Sequence, residues 1–214
     1  MPKKMQAYNK SELENYFLTE EAKKLYQKKF LSKEQLQNIN AQLVQLKSNP
    51  NIFFRIGFFF LGSFLISTII SAFGLILFPL ISEDFEFIFF FYAIVAYIGL
   101  EVLVNMKFFR HGLDDAFVLT SQISFSIGIG ILTEAILPVL ITMLVLGVFF
   151  AIRFINTISA LLAFIGLVGI FFNLIIEHDV MPKFYLSFVG LILAILVYFF
   201  VVHLSKNQNF YPYF

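Results

Sequence analysis

The pattern of apolar and polar positions changes at Pro50. Before it, apolar residues recur at the three- and four-residue spacing of amphipathic helices. After it, the chain consists of long apolar runs, most of them near the length of about 20 residues that a helix needs to cross a bilayer. The pattern predicts an all-α fold, a polytopic membrane helical bundle of about six spans, near 53–80, 86–106, 115–132, 135–153, 155–176 and 184–204.

The third and fourth runs lie close together, because only Thr133 and Glu134 separate them. As one helix, residues 116–152 would be roughly 55 Å long, nearly twice the thickness of the hydrocarbon layer. We therefore predict a turn at this point, with Pro138 in the first turn of the fourth span, where proline is tolerated.

Residues 1–50 are polar enough to predict a cytosolic helical module, a short N-terminal helical hairpin. Its helices are expected near 11–29, with Thr19 as a candidate break, and near 33–47. Two capping boxes have the expected spacing, Ser11 with Glu14 and Ser32 with Gln35. Two apolar stripes are expected to face each other: Leu36, Ile39, Leu43 and Leu46 on the second helix, and Leu13, Phe17, Leu25 and Phe30 on the first. Because so short a pair buries little surface, we expect it to pack on a second copy, a partner protein or the membrane surface.

Charge predicts the orientation, since basic residues favour the cytoplasmic side of short membrane loops. With six spans and a cytoplasmic N-terminus, 14 of the 15 basic residues lie inside and Lys183 alone lies outside. This predicts a multi-pass membrane protein with both termini cytoplasmic. The domains are then the head at 1–50, the six-span bundle at 51–206 and a cytosolic tail at 207–214.

Composition narrows the classes of function. The chain is 59% hydrophobic and 14% charged, as expected for a protein that resides in the lipid bilayer. Its net charge of +1 provides no basic field for nucleic acid. It has no cysteine and no phosphate-binding loop or other catalytic motif, so we expect neither an enzyme nor a cofactor. Glu177, His178 and Asp179 could bind a metal with Glu134 or Glu86, but we favour an ordinary solvated loop and expect no metal site.

The phrase KFFRHGLDDAF at 107–117 interrupts the apolar runs and falls in the predicted cytoplasmic loop between spans two and three. It holds four candidate site residues: Arg110, His111, Asp114 and Asp115. Gly112 is predicted to cap the C-terminus of span two, and either aspartate can cap span three. We favour these structural roles over a functional one, although ionisable groups beside spans often belong to a pathway or a partner site.

Three further candidates lie within the spans. A lone carboxylate at Glu101, one to two turns inside span two, is costly unless it is paired or protonated. Arg55 lies at a similar depth in span one, so we predict an ion pair between Arg55 and Glu101, with a proton-relay role for Glu101 as the alternative. Gln122 is the amide side chain in the middle of span three.

Three segments carry a resemblance to a known group: LTEEAKKLYQKKFLSKEQLQNI at 18–39, PNIFFRIGFF at 50–59 and FFRHGLDDAF at 108–117. On these, about the first 120 residues resemble a family of multi-span membrane proteins of unknown function from Bacteroidetes-type bacteria. The resemblance implies a location in the bacterial cytoplasmic (inner) membrane, an N-terminal cytosolic helical segment and no particular activity. It also implies that Arg55, Gly112, Asp114 and Asp115 belong to sequence motifs that recur in the family, and that this chain is a reduced or truncated member.

Two hypotheses of function follow. In the first, a non-enzymatic inner-membrane protein anchors a cytosolic head that binds a partner protein or a second copy. In the second, a small transporter or channel has a polar access site near the cytoplasmic ends of spans one to three. A continuous polar cavity past Gln122 would favour the second, whereas packing through Ser, Ala and Gly favours the first, which we prefer.

Overall fold

A computed structural model of the chain describes residues 6–43, 46–48, 51–77 and 86–177, with scattered positions between 188 and 199. The described part is helical and contains no β-strand, which confirms the all-α class. Between residues 6 and 177 the helices follow in this order: α1 (Lys10–Gln27), α2 (Lys33–Gln42), α3 (Ile52–Leu77), α4 (Glu86–Asn105), α5 (Leu113–Thr133), α6 (Ile136–Phe154) and α7 (Thr157–Glu177).

Five of these helices, α3 to α7, are long and apolar enough to cross a membrane. They match the first five predicted spans to within a few residues at each end. The turn expected near Thr133 is confirmed, because α5 ends there and α6 begins at Ile136, with Pro138 in its first turn. The sixth predicted span, 184–204, lies mostly outside the described residues, and its few described positions are helical. The predicted tail at 207–214 also lies outside them.

Helix α5 is the centre of the bundle, since it packs against α3, α4, α6 and α7. Its buried face consists largely of small side chains, which let neighbouring backbones approach. A Cβ added at Gly128 would lie 3.0 Å from the ring of Phe90 on α4. On the other side, a Cβ added at Gly62 of α3 would lie 3.0 Å from the Cβ of Ala116.

Helices α6 and α7 are in still closer contact. A Cβ added at Gly147 would lie 2.7 Å from both the Cβ and the backbone nitrogen of Ala163. A Cβ added at Gly166 would lie 2.8 Å from the Leu140 carbonyl oxygen and the Leu144 nitrogen. The backbones touch where glycine removes the side chain, so the pair is held by van der Waals packing.

The two helices of the head form largely as their sequence indicates. Ser32 and Gln35 make the predicted capping box at the start of α2. The other predicted box is wrong, because Asn9 caps α1 and its side chain accepts a hydrogen bond from the Ser11 nitrogen. Helix α1 continues through Thr19 without a break, and α2 ends at Gln42, short of the predicted end at 47.

The head packs on the end of the bundle in the same chain. Tyr8, Leu13 and Leu46 join a buried apolar cluster with residues from the apolar helices and the connections between them: Leu100, Val104, Phe109, Val118, Phe150, Phe154 and Ile155. The rings of Tyr8 and Phe109 meet edge to face with centroids 5.0 Å apart. By contrast, Leu25 and Phe30 are 39% and 76% exposed, so they contribute little to the partner face predicted for α2.

Candidate functional site

One end of the bundle collects charged and amide side chains. Helices α3 to α7 alternate in direction, so the starts of α3, α5 and α7 meet the ends of α4 and α6. The head packs on the same end. We call this polar cluster the junction and define it by six residues: Arg55, Glu101, Asp114, Asp115, Arg153 and Asn156.

The most buried ion pair of the junction joins α3 to α5. Arg55 Nη2 lies 2.6 Å from Asp115 Oδ2, and Arg55 Nε donates to the same oxygen at 2.8 Å. The Asp115 side chain is 5% exposed and that of Arg55 is 33% exposed. A carboxylate so far from water needs both the cation and the hydrogen bonds, so each partner requires the other.

The predicted pair between Arg55 and Glu101 is therefore wrong. Helix α3 packs mainly on α5 and makes little contact with α4, which carries Glu101. The close approach between Gly112 and the Arg55 carbonyl brings the first turn of α3 beside the start of α5. Arg55 consequently meets Asp115, although Glu101 lies at a comparable depth.

Glu101 has a different partner, which joins α4 to α6. Arg153 donates to Glu101 Oε1 from Nη2 at 2.6 Å and from Nε at 2.9 Å. Both side chains are partly exposed, at 25% and 29%. Sequence reasoning used Arg153 only to orient the chain. The sequence feature that could have identified Arg153 is its place in the last turn of α6, where a cation also interacts favourably with the negative end of the helix dipole.

Asp114 folds the loop that precedes it. Its carboxylate accepts hydrogen bonds from the backbone nitrogens of Arg110 at 2.7 Å, His111 at 2.9 Å and Gly112 at 2.9 Å. Because these bonds satisfy a buried carboxylate by backbone donors alone, Asp114 has a structural role of the kind expected for the phrase.

Gly112 does not cap α4 as predicted. Lys107, with φ of 66°, ends that helix, and the Phe108 nitrogen bonds to the Leu103 carbonyl as in a Schellman motif. Gly112, with φ of 105°, is instead the N-cap position of α5. A Cβ there would overlap the Arg55 carbonyl, so glycine is required both by its dihedral angle and by the approach of α3.

Asn156 completes the junction from the start of α7. Its Nδ2 donates to Asp115 Oδ1 at 2.8 Å, and its Oδ1 accepts from the Ser159 nitrogen at 3.0 Å. It therefore caps α7 and ties that helix to the buried ion pair. Sequence reasoning did not place Asn156 in the site, although an asparagine just before a helix start is a typical cap.

Two candidates from the loop lie beside the junction without joining its ion pairs. Arg110 places its guanidinium 5.4 Å from the centre of the Phe109 ring and forms no ion pair within the described residues. His111 packs between the rings of Phe58 and Phe108, with centroids 4.2 and 4.8 Å away. Burial lowers the pKa of His111, and the nearby Asp114 carboxylate opposes this in part.

Gln122 lies two turns further along α5, apart from the junction. Its Nε2 donates to the Met143 carbonyl of α6 at 3.2 Å, while its buried Oε1 has no partner among the described residues. It borders a cavity of about 430 Å³ that is otherwise lined by Ser126, Gly130 and apolar side chains of α5, α6 and α7. No residue of the junction lines this cavity, so it does not connect Gln122 to the charged groups.

The segments that flank α1 and α2 bind the head to the same end of the bundle. The Ala7 nitrogen donates to the Arg153 carbonyl at 2.9 Å, and the Tyr8 hydroxyl donates to the Phe108 carbonyl at 2.9 Å. At the other end of the head, Lys47 pairs with Phe108 as an isolated parallel β-bridge. Burial raises the pKa of Tyr8 well above its ordinary value, which keeps this hydroxyl a donor.

The polar contacts of the junction join the helices to one another. Its carboxylates accept hydrogen bonds from arginine, asparagine or backbone donors, and Arg153 and Arg55 each hold one of them. Within the described residues no group of three His, Asp or Glu side chains could hold a metal ion. The weak metal hypothesis at Glu177, His178 and Asp179 rests on side chains outside the described ones.

No protein-family model, curated protein or solved structure matches the chain. The resemblance to the Bacteroidetes-type family therefore stays a prediction.

Proposed function

We propose that the chain is an integral membrane protein of the bacterial inner membrane, not an enzyme, whose bundle holds a cytoplasmic head against its own end. In this proposal the head binds a partner protein or a second copy through the surface that it leaves exposed. The lipid bilayer surrounds the candidate spans, and both termini are cytoplasmic.

The observation that carries the proposal is the fixed attachment of the head. Backbone bonds on both sides of the α1–α2 pair reach the junction end, at Ala7 and at Lys47. An ion pair of 2.8 Å between Lys107 and Glu12 adds a third link. A head attached on both sides is presented in one orientation, which reduces the ordering cost of binding.

A second candidate function, a small transporter or channel, draws support from Gln122. Its unpartnered Oε1 near a cavity is the feature expected of a polar access site. Against it, the cavity lining holds no ionisable residue. The charged groups of the junction are engaged in two ion pairs or, for Asp114, in hydrogen bonds from the backbone. A solute or ion flux in proteoliposomes that Gln122→Leu abolishes would favour this candidate over the first.

The binding role is tested by site-specific photo-crosslinking in intact cells. A photo-activatable phenylalanine analogue is placed at Leu18, which is 53% exposed on α1, or at Gln37 on α2. We expect one discrete adduct, at twice the mass of the chain if the partner is a second copy. The same analogue at Thr133, at the opposite end of the bundle, should give no such adduct. Loss of adduct from the head positions would contradict the proposed role.

Membrane placement is tested separately by cysteine labelling, since the chain has no cysteine of its own. A cysteine at Gln37 should react with a membrane-impermeant maleimide only after the cells are permeabilised. A cysteine at Glu134 should react in intact spheroplasts, because the helix ends there lie opposite the head. The reverse pattern would overturn the orientation without bearing on whether the head binds.

A further inference from the structure

The end of the head furthest from the junction combines lysines with exposed aromatic side chains. Between Glu21 and Glu34 the chain has five lysines and no acidic residue. We call the exposed part of this segment the basic tip and define it by six residues: Lys24, Tyr26, Lys28, Lys29, Phe30 and Lys33. Phe30 is 76% exposed and Tyr26 is 40% exposed.

The basic tip is an ordered turn. The Lys28 nitrogen bonds to the Lys24 carbonyl, and the Phe30 nitrogen bonds to the Leu25 carbonyl at 2.9 Å. Lys29 reverses the chain with φ of 64°, and the capping box at Ser32 starts the next helix. Phe30 is therefore held at the apex of a hydrogen-bonded reversal, with three quarters of its surface exposed.

The lysines of the basic tip are available to an external partner. Lys23, just before it, pairs with Glu20 at 2.8 Å. Within the described residues no ion pair involves the four lysines of the basic tip, and all four are exposed. An exposed aromatic ring surrounded by unpaired lysines matches a negatively charged surface with an apolar layer beneath it.

A bilayer with anionic lipids has both properties, and the head is attached to the ends of the candidate spans. Attachment keeps the basic tip at a high effective concentration near that surface. An acidic protein would meet the charge but would not by itself account for the ring at the apex.

We propose that the basic tip binds the anionic headgroup surface of the bilayer, with Phe30 inserted among the headgroups and the lysines against their phosphates. The proposal rests on the proposed membrane placement of α3 to α7. It deepens the account of the head, because it gives the head a second contact besides its attachment to the junction. Each lysine near such a surface is expected to contribute about fivefold in the association constant.

The test uses the full chain in lipid nanodiscs with Phe30→Trp as the reporter, because the chain contains no other tryptophan. Both leaflets carry the same lipids, so the orientation of the chain does not affect the result. In phosphatidylcholine mixed with phosphatidylglycerol, tryptophan emission should shift to shorter wavelength, and brominated lipid should quench it. Both effects should weaken in pure phosphatidylcholine, at high salt, and when the four lysines are replaced by glutamine.

A second reporter, Phe64→Trp, separates the two proposals. Phe64 is 69% exposed in the middle of α3, so brominated lipid should quench it whatever the headgroup charge. Failure of that quenching would overturn the membrane placement itself. If this reporter is quenched while Phe30→Trp stays in water in both lipids, the lipid-binding proposal is overturned and an acidic protein partner takes its place.

Discussion

At the junction, Asp115 accepts hydrogen bonds from Arg55 and Asn156, which belong to two other parts of the bundle. At the α6–α7 interface, Gly147 meets the backbone of Ala163 with no polar bond in the contact. The packing of the first region depends on charge and on the direction of hydrogen bonds. The packing of the second depends on the small size of its side chains. A substitution at the junction therefore acts through the group it leaves unpaired, whereas one at the interface acts through added volume.

We expect the largest effect from Arg55→Leu. It leaves the Asp115 carboxylate, 5% exposed, without its cation, and the free energy of unfolding should fall by about 3–5 kcal/mol. Denaturant titration in detergent micelles measures this loss. Arg55→Leu with Asp115→Leu should recover much of it, because no buried charge remains.

Adding Glu101→Leu to Arg55→Leu serves as the matched control. These residues have different partners, so their effects on the free energy of unfolding should add. If the free energy of unfolding recovered in this second double variant, the result would support the pair between Arg55 and Glu101 that was predicted from the sequence.

Gly147→Ala should have the next largest effect. Its Cβ would meet the Ala163 nitrogen at 2.7 Å and the Ser159 carbonyl at 2.8 Å, and backbone atoms cannot turn aside. We expect a loss of about 1–3 kcal/mol in the free energy of unfolding. Gly57→Ala is the control, since nothing lies within 4 Å of its added Cβ. Helix propensity favours alanine at both positions, so a loss at Gly57→Ala equal to that at Gly147→Ala would contradict close packing as the cause.

Glu101→Gln should cost less than either change. The pair with Arg153 is 25% and 29% exposed beside the proposed cytoplasmic end of the bundle, so we expect water to screen much of its attraction. We expect a loss of about 1 kcal/mol or less in the same titration. A loss as large as that of Arg55→Leu would mean that Glu101, and not Asp115, is the critical carboxylate of the junction.

The smallest expected effect is a dependence of stability on pH through His111. Its pKa in the folded chain is below the ordinary value of 6.5, so the unfolded chain binds the proton more readily. This contribution to stability is present above that value and is lost as the pH falls through it. His111→Phe keeps a ring between Phe58 and Phe108. It should reduce the change in the free energy of unfolding between about pH 7 and pH 5, measured by denaturant titration at each pH. An unchanged slope would assign the pH dependence to other groups.

The length of the apolar runs and the spacing of apolar residues were sufficient to predict the described helices. The turn before Ile136 and the capping box at Ser32 follow from local sequence, and both are confirmed. The loop segment has a structural role, but its details differ from the prediction, since Gly112 starts α5 instead of capping α4 and Asp114 holds the preceding backbone. Such features depend on residues a few positions apart, which a sequence displays directly.

Partner choice across the bundle could not be predicted in the same way. Glu101 and Asp115 both lie near the depth of Arg55, and their sequence distances do not decide between them. The choice follows from the packing of α3 on α5 through Gly62 and Ala116, a contact between distant parts of the chain. For the same reason the partners of Arg153 and Asn156 could not be predicted, because these contacts form only when α6 and α7 pack on the other helices.

The attachment of the head to the bundle is tested most directly by a disulfide between Lys47→Cys and Phe108→Cys. These residues form the isolated β-bridge, and such partners lie within the Cα separation that a disulfide accepts. In membranes treated with a mild oxidant, we expect the pair to cross-link within one chain, while Lys47→Cys with Glu134→Cys stays reduced. Equal and slow oxidation of both pairs would contradict a head that is held at the junction.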